Sequence, residues 1–469
     1  MQKRAKRIVI TIVLIVAILP MFLLFWLMSG DDENFATIDH GQSYGNSIYK
    51  RYQDAVYAAV PSNGYYRIDA ADPASFQAFD TGAFDGRQAG RDQRHVYCGN
   101  LILPDLRPAS ARYLGNSYFS DGAATYFCSM HSRLNRELEP LDEFWQKILH
   151  RAGAGPKPQT YLYPYVALPA SARPYRPLLD RDLATDGARA FYRGLEMPQA
   201  NPATLRRVPA GRDGDVRPSD DFFADGSRVY FHEQPLPLSD DPALHAFMVG
   251  DLYRQPYLRD PRDGMVYVGA QPFDAAHAPY RLINEKGRHV YQALFASKDG
   301  LYFYNTQTRQ LERAGDDPFA SGAYAELSPY VYSDGAQTLF LRAEEVWARS
   351  TRGGGGGLVS RSTLVNRLRD APDGAWVKRG VVYHNFGTVW QKGGTLYYFD
   401  EMGPSQLISN PIYQILDPVA ADFLLRSQET RQITADDIRK LIRGGKLAVP
   451  QYETVLEAKT RYRKIFSIF

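Results

Sequence analysis

The chain has 469 residues, which is enough for two or three domains or for one long array of repeats. Its 55 basic and 52 acidic residues leave a net charge of only +3, so it lacks the basic excess with which nucleic-acid-binding proteins neutralise phosphates. We therefore expect no nucleic-acid partner. The 32 Tyr, 24 Phe, 38 Gly and 30 Pro favour a mainly β protein of many short strands joined by turns.

An uncharged apolar run extends from Ile8 to Met28. At about 1.5 Å of rise per residue, a helix of this length crosses a hydrocarbon core of roughly 30 Å. Basic residues precede the run and acidic residues follow it: Lys3, Arg4, Lys6, Arg7, Asp31, Asp32 and Glu33. Because basic flanks stay in the cytoplasm, we expect residues 1–30 to form a cytoplasmic tail and a single-pass anchor in a bacterial inner membrane, with the main body on its periplasmic or extracellular side. A cleaved signal peptide is the alternative, but its apolar core normally spans only about 7 to 15 residues.

Residues 31–50 are predicted to be a polar juxtamembrane linker. They contain "GQSYG", Gly41–Gly45, which has the spacing of a nucleophile elbow. That motif requires a strand before the serine and a helix after it, within an α/β fold. Since neither is expected here, we predict no catalytic role for Ser43.

An acidic residue, a turn and an aromatic strand recur along the chain. "DQRHVYCGNLILPDLRPAS" from Asp92 and "DGARAFYRGLEMPQANPAT" from Asp186 align without a gap, and "DGSRVYFHEQPLPLSDDPAL" from Asp225 needs one inserted residue. Shorter copies begin at Asp54, Asp121, Asp263, Asp299, Asp334 and Asp373. From Asp186 onward, successive copies lie 35 to 39 residues apart, a regularity typical of stacked supersecondary units.

Asp121 lies between two aromatic pairs, in "YFSDGAATYF". Asp-Gly is expected in a turn because Gly accepts a positive φ and the Asp carboxylate caps its own turn. An acid repeated at so many equivalent positions indicates structural repetition, since catalytic residues do not need that many copies. We therefore predict that Asp121 is a turn residue.

The predicted organisation is a β-repeat domain over residues 51–410, built of tandem antiparallel β-hairpins in a propeller-like or superhelical array. A partly helical insertion is expected at about 130–180, where one helix face carries an apolar set: Leu141, Phe144, Trp145, Ile148 and Leu149. Residues 411–469 are predicted to be a small helical segment. Thr434 can cap an acidic first turn there, and "YETVLEAKTRYRKIF" has helical apolar spacing.

The repeats resemble those of the DKNYY family of bacterial proteins, in which an acidic turn, a Val-Tyr strand, a short strand and a later Asp-Pro step follow one another. The best matches are "RDQRHVYCGNLILPD" and "DPASFQAFDTGAFDGRQAGRD", and the resemblance covers roughly Asp54 to Leu341. This chain has Gly or Gln where the family has Lys. The resemblance implies an envelope-facing bacterial repeat protein, and it brings no catalytic residue and no cofactor.

The two cysteines, Cys98 and Cys128, are too few for a disulfide framework and lack the spacing of a zinc site. Two interpretations remain open. An oxidising compartment would permit one disulfide between them, whereas two separate buried thiols are equally compatible with the sequence.

Three further patterns look like functional sites. Asp80, in "FDTGA", has the loop sequence of an aspartic protease, but no second such loop supplies the partner carboxylate. The acids of Asp213–Asp221 lack the glycine and the bidentate acid of an EF-hand loop. "RHVY" occurs twice, which makes His95 and His289 repeat-face residues rather than metal ligands. We predict no catalytic, cofactor-binding or metal-binding residue among them.

An anchored aromatic array without a catalytic constellation favours recognition of another protein in the cell envelope, because Tyr offers contact area at low entropic cost. Immunity against a delivered toxin is the narrower form of this hypothesis. Binding of cell-wall glycan or peptidoglycan by exposed rings is the alternative. An envelope hydrolase is the third hypothesis, and the sequence does not favour an enzyme.

Overall fold

The computed structural model of the chain describes residues 32–79, 82, 84–212, 215–249, 255–283, 290–348, 357–427 and 433–462. The predicted anchor at residues 8–28 lies outside the described residues, as do three candidate side chains: Asp80, Asp213 and His289. Within the described ranges, no helix is both long enough and apolar enough to cross a membrane.

The fold is mainly β, as predicted, and nearly all strand pairs are antiparallel. The chain divides into two compact units. The first unit comprises residues up to 206 together with 225–235, and the second comprises residues 207–224 and those from 236 onward.

The first unit begins with α1 (Asp32–Asp39) and contains four sheets of four antiparallel strands. The first sheet comprises β1 (Gln42–Ser43), β2 (Tyr49–Tyr52), β3 (Ala55–Val60) and β4 (Gly64–Arg67). The second comprises β5 (Gln77–Ala78), β6 (Ala89–Arg91), β7 (Val96–Cys98) and β8 (Leu101–Leu103). The third comprises β9 (Arg112–Gly115), β10 (Tyr118–Ser120), β11 (Thr125–Cys128) and β14 (Tyr165–Ala167). The fourth comprises β15 (Arg176–Pro177), β16 (Leu183–Thr185), β17 (Ala190–Tyr192) and β18 (Leu195–Met197).

An insertion separates β11 from β14 in the third sheet. It contains β12 (Arg133–Leu134), α2 (Pro140–Arg151) and β13 (Tyr161–Leu162). The helix begins with a proline, whose missing N–H is no loss in the first turn, and it has acids in its first turn and basic residues in its last. The predicted helix at this position is therefore confirmed.

Successive sheets of the first unit pack face to face. The middle strands β7, β10 and β17 are buried along their whole length. Since neighbouring residues of a strand point to opposite faces, Tyr118 packs with Phe191 of the fourth sheet, while Phe119 packs with Val96 and Tyr66 of the second and first sheets. Each such ring contributes about 1.5–3 kcal/mol on burial, so paired aromatics hold the sheets together.

The acidic turn behaves as predicted at Asp121. Its Oδ1 atom accepts the backbone N–H groups of Ala123 and Ala124, both at 2.8 Å, and the following Gly122 has a φ of +90°. A carboxylate accepts the N–H groups two and three residues later at four more copies: Asp92, Asp186, Asp225 and Asp334. The turn prediction is thus confirmed at five positions.

Four copies differ from the predicted pattern. The buried acid of one copy is Asp260, which accepts the N–H of Arg262 at 3.0 Å, whereas Asp263 is exposed. The predicted register is wrong there because the turn is longer, with the Asp260 N–H donating to the Met265 carbonyl. The other three acids are exposed because their turns direct them into solvent: Asp54, Asp299 and Asp373.

Strands β19 to β22 follow the fourth sheet: β19 (Arg206–Arg212), β20 (Asp215–Ala224), β21 (Arg228–Phe231) and β22 (Gln234–Ser239). In the second unit, β19 pairs with β23 in parallel. From there an antiparallel series follows: β23 (His245–Val249), β24 (Gln255–Arg259), β25 (Val266–Val268) and β26 (Gln271–Pro272). A four-stranded sheet follows: β27 (Arg281–Leu282), β28 (Phe295–Ser297), β29 (Gly300–Asn305) and β30 (Gln310–Gly315).

Two five-stranded sheets complete the second unit. One comprises β31 (Ala325–Ser328), β32 (Val331–Ser333), β33 (Thr338–Trp347), β34 (Leu358–Leu368) and β40 (Tyr452–Arg461). The other comprises β35 (Trp376–Val382), β36 (Gly387–Lys392), β37 (Thr395–Asp400), β38 (Ile412–Ile415) and β39 (Leu447–Ala448). Two helices pack on the latter: α3 (Pro418–Leu425) and α4 (Ala435–Arg443).

The predicted C-terminal helical segment is partly wrong. Thr434 does cap α4, through a capping box with Asp437. Residues 452–461 of the "YETVLEAKTRYRKIF" stretch, however, form β40, which pairs with β34. Leu456, Ala458 and Thr460 are buried at every second position, so the stretch follows a strand period rather than a helical one.

The predicted linker at residues 31–50 contains α1, β1 and the start of β2, so the first sheet begins within it. Cys98 of β7 and Cys128 of β11 form a disulfide. Of the two interpretations left open by the sequence, the structure therefore contains the bridge. It links the second sheet to the third.

Candidate binding cleft

The residues that the sequence offered as possible catalytic or metal-binding groups, and that the structure describes, lie in strands and turns rather than in a site. Ser43 is exposed in the edge strand β1, and another strand follows where an elbow needs a helix. The N–H of Asp221, within β20, donates to Oγ of Ser219 at 3.1 Å, and the N–H of His95 donates to Oδ1 of Asp92 at 2.7 Å. Over the described part of the chain, no three His, Cys, Asp or Glu side chains are grouped closely enough to hold a metal ion.

Hydrogen bonds saturate the buried turn carboxylates. Burial raises the pKa of Asp121, but the N–H groups of Ala124 and Ala123 and the Arg107 guanidinium lower it further. The pKa of this carboxyl therefore lies well below its usual range. For Asp186 the same balance of burial and hydrogen bonds lowers the pKa to about 2. Both acids are ionised near neutral pH, with their oxygens committed to the fold.

Sequence analysis missed the second partner of these carboxylates. Three of them accept a backbone N–H from an earlier turn: Asp92 from Asp72 (2.9 Å), Asp121 from Arg107 (3.1 Å) and Asp225 from Asn201 (3.2 Å). The donors begin the sequences "DPAS", "RPAS" and "NPAT". This recurring Pro-Ala-Ser/Thr step, which precedes the acid in each of these three copies, is the signal from which the contact could have been found.

A cleft of about 1360 Å³ lies within the first unit, between the first sheet and the C-terminal end of α2. Thr37 and Ile38 of α1 line one side of it, and Asn100 reaches it from the turn between β7 and β8. Small-molecule pockets usually measure roughly 300–1,000 Å³. The cleft therefore has room for a segment of a longer molecule.

Tyrosines and the loop after α2 form one wall of the cleft. The Tyr66 hydroxyl donates to the Pro158 carbonyl at 2.5 Å, and burial raises the pKa of Tyr66 to about 12. Nζ of Lys157 donates to the Asn63 carbonyl at 2.6 Å and lies 5.2 Å from the centroid of the Tyr66 ring. These contacts fix the loop against the hairpin of β3 and β4.

Cations outnumber carboxylates in the cleft lining. One carboxylate, that of Asp69, stands against four cationic side chains: Arg67, Lys147, Arg151 and Lys157. Arg67 pairs with Asp69 at 3.0 Å, and Lys147 pairs with Glu143 at 2.5 Å. Both pairs are partly exposed, and exposed pairs contribute only about 0–1 kcal/mol. Arg67 and Lys147 can therefore exchange these partners for an anionic group.

Asn100 is an unsatisfied polar group at the cleft. Only 8% of it is exposed, and neither atom of its side-chain amide has a hydrogen-bond partner. Leaving a buried amide unpaired costs about 1–3 kcal/mol. Gly99 takes the positive φ of the turn, +56°, so the backbone at Asn100 does not require this residue type.

The turn that carries Asn100 is held rigidly. The Tyr49 hydroxyl donates to the Gly99 carbonyl at 3.0 Å. A Cβ atom on Gly99 would lie 2.2 Å from the ring of Tyr163, so only glycine allows this close approach. The Asn100 amide is therefore kept in place at the cleft without any partner.

Residues 49–234 match the model of the DKNYY family. The match confirms the resemblance for β2 to β21, whereas the part expected as far as Leu341 extends beyond it. No curated protein sequence and no solved structure matches the chain.

Within the DKNYY region, residues 49–234, α2 presents an exposed apolar stripe beside the cleft. No residue of this helix is buried. Leu141, Trp145 and Leu149 are 67%, 55% and 47% exposed and lie four residues apart, hence on one side of the helix. We refer to these three residues as the α2 ridge.

Proposed function

We propose that this chain is a bacterial envelope protein, anchored in the inner membrane by residues 8–28, whose DKNYY region binds another protein through the α2 ridge. The observation that carries the proposal is a helix with three large apolar side chains exposed in a row and no buried residue. Leu and Trp at such positions cost free energy in water and gain it when a partner covers them.

The spacing of the ridge supports a partner with a groove. Side chains four residues apart on one helix face are the usual anchors of helix-in-groove recognition. Trp145 is the expected hot spot, because a Trp at the centre of an interface often contributes about 2 kcal/mol or more to binding. A contribution of this size corresponds to roughly a 30-fold change in affinity.

The charges on α2 favour a protein over a lipid surface as the partner. Helices that lie on anionic membranes carry Lys and Arg along their polar face. Here Asp142 and Glu143 occupy the first turn, and basic residues appear only from Lys147 onward. A mixed surface of this kind suits a protein with complementary charges.

Two features support the proposed location. The apolar run at residues 8–28 has the length and flanks of a single-pass anchor. The disulfide between Cys98 and Cys128 favours an oxidising compartment such as the periplasm. We further propose that the sheets form a tandem array, propeller-like or superhelical, which presents α2 from a rigid body.

The proposal is tested by capture from solubilised envelope with the full-length chain, its Trp145→Ala variant and a Trp347→Ala control. Both tryptophans are 55% exposed, but Trp347 lies in β33, outside the DKNYY region. We expect one protein to be retained by the wild type and by Trp347→Ala, and its recovery to fall at least tenfold with Trp145→Ala. Equal recovery of the protein with all three chains, or retention of no protein by the wild type, would overturn the proposal.

Immunity against a delivered toxin is the narrower form of the proposal. The identity of the captured protein tests it. A secreted toxin whose activity falls on addition of the wild-type chain, but not of Trp145→Ala, is the expected result.

A further inference from the structure

We propose that the Asp400 carboxyl, the Tyr398 hydroxyl and the Phe386 carbonyl form a pH-dependent latch in the second unit. A neutral Asp400 holds the turn between β35 and β36 beside the end of β37, and an ionised Asp400 releases that turn. We refer to these three groups as the Asp400 latch. It is separate from the α2 ridge and does not depend on the proposed protein partner.

The Tyr398 hydroxyl lies between two acceptors. Its oxygen is 2.9 Å from the Phe386 carbonyl oxygen and 2.9 Å from Oδ1 of Asp400. A hydroxyl has one hydrogen and a carbonyl has none, so the contact with Phe386 uses the hydrogen of Tyr398. The contact with Asp400 then needs a hydrogen on the carboxyl group. The geometry therefore corresponds to a neutral Asp400 that donates to Tyr398, which in turn donates to Phe386.

The surroundings of Asp400 favour its neutral form. Only 1% of the residue is exposed, and burial raises the pKa of its carboxyl to about 7. The groups that lower this pKa are uncharged donors: the Gly403 N–H, the Tyr398 hydroxyl and the Met402 N–H. None of them supplies the positive charge that would offset the loss of water around a buried carboxylate.

Other titratable side chains lie around Asp400 and its neighbour in sequence, and they come from β31, β33, β35, the loop after β37 and β38: Glu326, Arg342, Lys378, Glu401 and Tyr413. Glu401 raises the pKa of Asp400 further, because it adds a like charge. Arg342 pairs with Glu344 at 2.6 Å, and Lys378 acts on Glu401, whose pKa it lowers. Among the described residues, no basic side chain forms an ion pair with Asp400.

Ionisation of Asp400 breaks this chain of hydrogen bonds. A carboxylate only accepts, so the Tyr398 hydrogen turns to Oδ1, and the Phe386 carbonyl loses its donor. The two oxygens, 2.9 Å apart, then repel each other. The turn needs such bonds, because His384 and Asn385 have φ values of +45° and +62°, which residues with a side chain rarely adopt. The latch is therefore closed below about pH 7 and open above it.

The test is hydrogen exchange, measured by mass spectrometry on the full-length chain in detergent. Rates are compared at about pH 5 and about pH 9, on either side of the raised pKa, and corrected for the intrinsic effect of pH. The reporter is the Glu401 N–H, which donates to the Phe386 carbonyl at 3.0 Å. We expect peptides with residues 383–386 and Glu401 to exchange at least about tenfold faster at the higher pH, while peptides of β7 keep one rate.

Two variants should act in opposite directions. The amide of Asp400→Asn donates to Tyr398 as the neutral carboxyl does, so exchange should be slow at both pH values. Tyr398→Phe removes the central hydroxyl, so exchange should be fast at both. Asp316→Asn is the control, because the Asp316 side chain is 98% exposed, and it should behave like the wild type.

Infrared spectroscopy gives a second measurement that needs no Tyr398 variant. The difference spectrum between the wild type and Asp400→Asn should contain the C=O band of a neutral carboxyl at about pH 6 and lose it by about pH 9. A spectrum without this band would overturn the proposal. So would wild-type exchange that does not change with pH, a pH dependence that persists in Asp400→Asn, or slow exchange in Tyr398→Phe at both pH values.

Discussion

The Oδ2 atom of Asp92 accepts a hydrogen bond from the backbone N–H of Asp72 at 2.9 Å, while its Oδ1 atom accepts the N–H groups of Arg94 and His95 at 2.7 Å. The buried carboxylate of Asp92 thus connects two turns: the one at Asp72, which precedes the hairpin of β6 and β7, and the one at Arg94 and His95, which lies within that hairpin. The Tyr97 hydroxyl, from the next strand, donates to the same Oδ2 atom at 2.8 Å. The carboxylates of Asp121 and Asp225 likewise accept a backbone N–H from the preceding turn.

Replacing a buried carboxylate that connects two turns should destabilise the fold. Asp121→Asn is expected to lower the free energy of unfolding by about 2–3 kcal/mol, because an amide nitrogen would face the Arg107 donors and the charge would be lost. Urea unfolding at pH 7 measures the change. Asp54→Asn is the control, since the Asp54 side chain is 88% exposed, and it should cost less than about 0.5 kcal/mol. Similar losses for the two variants would refute a special role of the buried acid.

The disulfide should contribute measurably to the stability of the first unit. Cys98 and Cys128 are 30 residues apart, and closing a loop of this length in the unfolded chain contributes about 3–4 kcal/mol. Reductant should therefore lower the melting temperature of the wild type but leave that of a Cys98→Ala/Cys128→Ala double variant unchanged. A wild-type chain that melts identically with and without reductant would contradict the bridge.

Two glycines with the same φ should tolerate alanine very differently. Gly99 and Gly45 both have a φ of +56°, but a Cβ atom would meet the Tyr163 ring at 2.2 Å in the first case and nothing within 4 Å in the second. Gly45→Ala should cost about 1–2 kcal/mol from the left-handed conformation alone. Gly99→Ala should cost at least about 1–3 kcal/mol more, from overpacking. Chemical denaturation measures the free energy of unfolding of both variants. Equal losses would contradict the close contact between Gly99 and the Tyr163 ring.

Asp400 should make stability depend on pH. It is 1% exposed, and burial raises the pKa of its carboxyl to about 7, although hydrogen bonds from the Gly403 N–H and the Tyr398 hydroxyl oppose the rise. Between about pH 4 and pH 7 the folded state keeps this proton while the unfolded state loses it, so stability should fall as pH rises through this window and level off above it.

The Asp400→Asn variant tests this dependence. The variant has no carboxyl to titrate at position 400. Its free energy of unfolding relative to that of the wild type should therefore rise by about 2–4 kcal/mol between pH 4 and pH 8. Asp316, whose side chain is 98% exposed, provides the control, and Asp316→Asn should show a constant difference from the wild type. Urea midpoints measured at intervals of one pH unit give both curves. A difference between Asp400→Asn and the wild type that stays flat over this range would rule out the raised pKa.

Local chemistry explains what the sequence could predict. The turn at Asp121 needs only a carboxylate and a glycine close in sequence, and α4 needs only Thr434 before an acidic turn. Such signals can be recognised within a few residues. The same applies to the mainly β fold, which follows from frequent aromatic strands and turns.

Contacts between distant segments explain what it could not. The stretch containing Leu456 fits both a helical and a strand period, and pairing with β34 decides between them. Asn100 looks like an ordinary turn residue, and its burial arises where Tyr163, far along the chain, packs on Gly99. In the copy at Asp263, a longer turn moves the buried acid to Asp260 without any change in the local motif.

The α2 ridge is tested most directly by photo-crosslinking in living cells. A photo-crosslinking amino acid would replace Trp145 in the full-length chain, or Trp347 as the equally exposed control. Binding through the ridge predicts one dominant protein adduct at position 145 that is absent at position 347. No adduct at position 145, or the same adducts at both positions, would contradict it.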